Sequence, residues 1–223
     1  MLVDRTPVPL TGTIPLTGSS GLRERRAAFD ARTEQYLRAG HDRFAASDFV
    51  AAAAGPLTGP VLDIGTGRGL TAIALARRRV EVISVDIDLL ERELAEMLAA
   101  EAGMSRSIRF IHGTAASLPF SDGMFGCVAM MDVLHHLPDP RPVLSEAVRV
   151  LKPSGVYILA EFSAEGFKLV ESVHRAGGGQ HPVSGVTIEQ AAAMLRDMGV
   201  GAGIRNCGHM HDVMVLMKQG GTR

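Results

Sequence analysis

Val61-Leu62-Asp63-Ile64-Gly65-Thr66-Gly67-Arg68-Gly69 is the stretch on which the fold turns. Val61 to Ile64 read as a short buried strand, three glycines at alternate positions make a tight turn, and Leu70 to Arg77 continue as an Ala/Leu/Ile-rich helical pattern. Glycine tolerates φ > 0 and lets a ligand lie directly on the backbone, so this succession predicts a site for a nucleotide-like ligand. A dinucleotide-binding turn places its third glycine three positions after the second, where this chain has Leu70. The pyrophosphate of a nicotinamide cofactor would lack the close helix approach it needs.

At 223 residues the chain is long enough for one domain with a three-layer core. Aromatic residues make up 4% and tryptophan is absent, so that core must come from Ala, Val, Leu, Ile and Met. The net charge of -1 gives no general basic field and no basic run replaces it, so a nucleic-acid partner is not expected. Cys127 and Cys207 form neither a C-x-x-C pair nor a disulfide framework. With no charged-then-apolar leader and no apolar run near the ~20 residues that span a bilayer, a cytoplasmic protein without a membrane partner is expected.

Residues 1–21, rich in proline and glycine and without periodicity, read as a flexible arm. Residues 22–55 read as a helical cap of at least two helices, with breaks at Gly40 and Ser47-Asp48, and the rest of a single domain (22–223) as a core over 56–223. Strands are expected at about 61–65, 81–87, 108–113, 125–132, 155–162, 203–209 and 212–218, and core helices at about 69–78, 88–102, 141–150 and 187–198. Strands joined by crossover helices imply a parallel sheet covered on both faces, and a short turn around His211 implies a final antiparallel hairpin. Residues 163–184, polar and glycine-rich, read as a loop.

Asp86 ends the second strand, 21 residues after Gly65. A carboxylate at such a strand end accepts from both hydroxyls of a ribose, or else caps the helix that follows, a task Asp88 also fills. With Asp63 two residues before the first glycine, the turn resembles motif I of the class I S-adenosylmethionine-dependent methyltransferases. The stretch His112-Gly113-Thr114-Ala115-Ala116-Ser117-Leu118-Pro119-Phe120 resembles that family's adenine loop, with Thr114 in place of the expected acid. Phe125-Gly126-Cys127-Val128 and Leu134-His135-His136-Leu137 resemble the Phe-Asp-x-Val and Leu-His-His-Leu pattern of the ubiquinone/menaquinone-type small-molecule branch, with Gly126 in place of the usual Asp. Leu151-Lys152-Pro153-Ser154-Gly155 resembles its Leu-Lys-Pro-Gly-Gly turn, so the similarity runs over about residues 60–162.

The resemblance implies a Rossmann-like α/β sandwich whose seven-stranded, mostly parallel sheet has the order 3-2-1-4-5-7-6, the last strand antiparallel. It implies S-adenosylmethionine as cofactor, S-adenosylhomocysteine as product, and a small-molecule methyl acceptor. Asp63, Gly65, Thr66, Gly67, Asp86, Ile87, Thr114 and Ala115 would hold the cofactor, with Met131 and His135 at its methyl end.

Methyl transfer from a sulfonium is an in-line displacement, so orientation supplies most of the catalysis, and a base is needed only for an alcohol, phenol or protonated amine. His135 and His136 are candidates for that base or for packing in the crevice wall, and Glu161 for orienting an amine or hydroxyl. Tyr36 and His41 face the crevice if the cap covers it. His174, His181, His209 and His211 lack a third ligand of definite spacing, so no metal is expected. With so short a cap, the acceptor site is open or completed by a second subunit, which makes a homodimer possible. Two other readings fit part of the sequence: an inactive S-adenosylmethionine-binding regulatory protein, given Thr114 and Gly126, and a nicotinamide-dependent oxidoreductase, disfavoured by Leu70.

Overall fold

The computed structural model describes residues 19–176 and 185–220. Two helices, α1 (Ser19–Arg38) and α2 (Arg43–Ala53), precede β1 (Val61–Ile64), α3 (Leu70–Ala76), β2 (Val82–Asp86), α4 (Leu89–Glu101), β3 (Ile108–His112) and β4 (Phe125–Met131). A single 3-10 turn at Leu134–His136 leads to α5 (Arg141–Val150), β5 (Leu151–Phe162), α6 (Ala164–Ala176), α7 (Ile188–Asp197), β6 (Val200–Gly208) and β7 (His211–Lys218). The seven strands form one sheet in the order β3-β2-β1-β4-β5-β7-β6. The pairs from β3 to β5 are parallel, and β7 runs antiparallel to both β5 and β6, as the sequence leads one to expect.

Burial on both faces explains why β1 and β4 are continuously apolar apart from Asp63. The period-2 alternation of a strand sends Cys127 and Ala129 of β4 into a cluster with Val50 of α2, Leu75 of α3 and Leu94 of α4. Val128 and Met130 enter the opposite cluster, with Leu144 of α5 and Leu195 of α7. Each large aliphatic side chain so buried contributes roughly 1.5–3 kcal/mol. Lys218 Nζ donates to the carbonyls of Val148 and Leu151, 2.7 Å each, and so satisfies the C-terminal end of α5 where it turns directly into β5.

Several elements depart from the sequence reading. α6 occupies the first half of the segment read as a loop; its Val170 and Val173 pack with Tyr36 of α1. The glycine-rich half of that segment and nearly all of the N-terminal arm lie outside the described residues, while α1 begins at Ser19. Gly40 does end α1, but Ser47-Asp48 lies within α2, where Ser47 Oγ donates to the Arg43 carbonyl. The hairpin turn is His209-Met210, with φ of 50° and 64°, and His211 is already the first residue of β7. None of the helices among the described residues is long and apolar enough to cross a membrane.

Gly126, the departure from the family's Asp, has a packing cause. A Cβ at this position would overlap the Thr58 carbonyl oxygen, and the Gly126 amide donates to the Pro60 carbonyl at 3.0 Å. The connection into β1 thus lies flat against the start of β4. Replacing Gly126 by Ala is expected to lower stability by about 1–3 kcal/mol in denaturant unfolding; an unchanged midpoint would contradict this account of the glycine.

Candidate active site

The glycine turn leaves β1 with Gly65, Gly67 and Gly69 all in the left-handed region, at φ of 85°, 47° and 76°. A Cβ on Gly65 would overlap Val133 just beyond β4, whereas one on Gly67 would meet nothing within 4 Å. The turn therefore packs on one side and offers bare backbone on the other. Asp86 holds it: Oδ2 accepts from the Gly67 amide and Oδ1 from the Asp88 amide, both at 2.8 Å. Asp88 in turn caps α4 through the Leu90 amide.

Beneath the turn, Ser84 Oγ donates to Asp63 Oδ2 at 2.6 Å, so Thr66 Oγ1, also 2.6 Å from Ser84 Oγ, donates to Ser84. Asp63 is buried and its Oδ1 has no hydrogen-bond partner among the described residues. Burial pushes its pKa up to about 7; the charge of Asp86 adds to this and the Ser84 bond opposes it.

Asp86, Ile87, Thr114 and Ala115 form a shoulder beside the turn. The Gly113 amide donates to the Asp86 carbonyl at 2.8 Å, and His112 Nε2 donates to the Ile87 carbonyl at 3.0 Å, which holds the ends of β2 and β3 together. The Ile87 side chain is 72% exposed. Thr114 Oγ1 accepts from the Ala116 amide at 3.2 Å and keeps a donor hydrogen and a lone pair for another partner.

From the turn a cleft of about 350 Å³ runs along the carboxyl ends of β4, β5 and the start of β7. Gly65, Thr66, Gly67, Met131, His135 and His136 line it on the core side. Tyr36 of α1, His41 between α1 and α2, and His174 of α6 line the other. Two carboxylate–imidazole pairs stand here, and they differ.

His135 Nδ1 donates to Glu161 Oε1 at 2.8 Å, while Glu161 also accepts from the His135 amide at 3.1 Å and the Phe162 amide at 2.9 Å. Both side chains are buried, and Glu161 does not line the cleft. Its carboxylate fixes the 3-10 turn and the His135 ring. His136 is more exposed, and burial followed by the charge of His135 lowers its pKa, with Asp132 opposing.

The second pair is Asp132 with His211. The His211 Nδ1–H donates to the His209 carbonyl at 2.7 Å, and Nε2 lies 3.0 and 3.1 Å from the Asp132 oxygens. With acceptors at both nitrogens, the ring is an imidazolium. Burial opposes that charge, but the Asp132 charge and hydrogen bond outweigh it and the pKa is raised. His41, its ring 5.7 Å from that of His211, is driven the other way, to about 4, by burial and then by the His211 charge.

Asp132 has φ of 57°, a backbone state that costs a non-glycine residue about 1–3 kcal/mol and is found at functional sites. Asp132 and Arg43, which also lines the cleft, are the residues the sequence reading missed. The available signal for Asp132 was its place directly after a seven-residue buried strand, since ligands gather at the carboxyl ends of parallel strands. His209 stands apart, its ring 5.3 Å from Phe49, and His181 lies outside the described residues. Among the described residues no three His, Cys, Asp or Glu side chains are grouped to hold a metal.

Because the folded state keeps a proton on Asp63 that the unfolded chain releases near pH 4, this group costs stability increasingly as pH rises from about 4 to 7. Asp63→Asn is expected to gain in melting temperature relative to the wild type between pH 5 and pH 8. A difference independent of pH would contradict the assignment.

Residues 62–159 match the family model described as "Methyltransferase domain". The uncharacterized methyltransferase YcgJ of Bacillus subtilis is 40% identical over 104 residues, 47% of this chain and 41% of that protein. The demethylmenaquinone methyltransferase of Clavibacter sepedonicus is 35% identical over 147 residues, 65% of this chain and 57% of that protein. The chain thus spans about two fifths to three fifths of these curated relatives. Among solved structures, geranyl diphosphate C-methyltransferase from Streptomyces coelicolor, in complex with Mg2+, geranyl diphosphate and S-adenosyl-L-homocysteine, superposes with a TM-score of 0.61 at 13% identity, over 78% of this chain and 77% of that one. Over residues 62–159, the segment that holds the glycine turn and the Asp86 that anchors it, the chain is similar to a methyltransferase domain.

Proposed function

We propose that the protein transfers a methyl group from S-adenosylmethionine to a small-molecule acceptor bound in the cleft. One observation carries this reading: the turn with bare backbone at Gly67 is anchored on Asp86 and opens directly into a cleft that ends on Met131, Asp132 and His135. When bound, S-adenosylmethionine supplies a methyl group made electrophilic by its sulfonium.

The residues present suit that cofactor. Asp86 retains lone pairs for ribose hydroxyls beyond its two amide bonds, and Ile87 offers an apolar face for a flat ring. Thr114 and Ala115 border the same face, while Gly65, Thr66 and Gly67 present backbone to the methionyl end, with Asp63 bracing the turn from below through Ser84. Met131 and His135 wall the methyl end. In this reading residues 22–55 act as the cap on a core of 56–223 and exclude water from the acceptor.

In-line displacement needs the nucleophile held at ~3 Å from the methyl carbon, so the main task of the side chains is orientation. Glu161 acts through His135 as a positioning pair. Asp132, clamped by His211, faces the cleft and accepts the N–H or O–H of the acceptor; His136, kept neutral by burial, takes up the proton where the nucleophile is a hydroxyl or ammonium.

Calorimetry with S-adenosylhomocysteine tests the reading. The wild type is expected to bind it while NAD gives no heat, and Asp86→Ala is expected to weaken binding by roughly 10- to 100-fold through loss of charged hydrogen bonds. NAD binding, or an Asp86→Ala variant of full affinity, would contradict it.

A further inference from the structure

Arg43 begins α2, and its guanidinium lies over two aromatic rings of α1, with Cζ 5.4 Å from the Phe29 centroid and 5.3 Å from that of Tyr36. The ring faces fix its plane and shield it from bulk water. Of its five N–H donors, one reaches Thr33 Oγ1 at a long 3.4 Å. Among the described residues it makes no ion pair.

The obvious partners are engaged elsewhere. Asp132, whose charge acts on Arg43, has its oxygens on His211 Nε2, and Glu91 across the cleft is paired with Arg68. Burial lowers the Arg43 pKa and the charge of Arg32 adds to this, yet a guanidinium does not give up its proton in a protein. A shielded cation whose other donors meet no acceptor among the described residues, lining a cleft, is costly unless a ligand completes it.

We propose that Arg43 binds an oxyanion, carboxylate or phosphate, carried by the methyl acceptor, so that this enzyme methylates an acidic small molecule. The inference rests on the methyltransferase reading above. Arg43 and Asp132 then act as opposite charges in one cleft: the first takes the acceptor's anionic group, the second its N–H or O–H. A neutral acceptor leaves Arg43 without a counter-charge, and one with its anion elsewhere places a negative group against Asp132. This is selection by repulsion as well as by attraction.

Titrations of benzoate and inorganic phosphate, with benzamide as the neutral counterpart, into protein saturated with S-adenosylhomocysteine test the site and separate the two anion classes. One anion is expected to bind at least tenfold more tightly than benzamide. Arg43→Gln abolishes that preference with less than a threefold change in S-adenosylhomocysteine affinity; Arg43→Lys, which keeps the charge without the planar fork, retains part of it and serves if the Gln variant does not fold. Equal affinity for anion and amide in the wild type, or a preference that survives in Arg43→Gln, would overturn the proposal. So would anion binding only without S-adenosylhomocysteine, together with a tenfold loss of its affinity in Arg43→Gln, since Arg43 would then hold the cofactor's own carboxylate. If S-adenosylhomocysteine does not bind the wild type at all, the methyltransferase reading falls and takes this inference with it.

Discussion

Between Gly65 and Val133 there is no room for a side-chain carbon. This contact joins the exit of β1 to the exit of β4, the two central strands, and sets the distance between a turn that offers backbone to a ligand and the wall that holds Asp132 and His135. Much of the rest maintains it. Asp86 ties the turn sideways to β2, Glu161 ties the His135 turn to β5, and His211 ties Asp132 to β7. The carboxyl ends of β1, β2, β4 and β5 and the start of β7 are thereby bound into one edge, which suits a reaction whose barrier falls mainly through orientation.

The two carboxylate–imidazole pairs divide the labour by burial. Glu161 accepts three hydrogen bonds from the protein and is sealed from the cleft, so it stiffens. Asp132 accepts from His211 and remains partly exposed, so it can serve a ligand. The imidazolium of His211 also acts beyond its own pair, since it helps keep the neighbouring His41 neutral. Across the cleft Arg43 supplies the opposite charge, held by rings rather than by a carboxylate.

What could be read from the chain was what depends on local pattern. The buried runs of β1 and β4 and the succession of strands and helices gave a mostly parallel sheet with a final hairpin, while its order came from the family resemblance; Tyr36 and His41 line the cleft. α6 was hidden because the glycines that follow it outweighed the spacing of Val170 and Val173. Gly126 looked like a lost acid because its constraint, the Thr58 carbonyl, lies far back in the sequence. The pairing of Asp132 with His211 spans 79 residues, and no periodicity predicts it. Glu161 was a candidate for orienting an amine or hydroxyl acceptor, but the ring and amide of His135, 26 residues away, and the adjacent Phe162 amide turn it inward.

The central claim is that one continuous site runs from the Asp86 shoulder, over the bare backbone of Gly67, into the cleft at Met131 and Asp132. A crystal structure of the protein grown with S-adenosylhomocysteine tests it most directly. The account predicts the ribose hydroxyls on the Asp86 carboxylate, the adenine against Ile87, and the sulfur directed toward Met131. An adenosyl group bound elsewhere, or one lying on the turn with its sulfur directed away from the cleft, would contradict it.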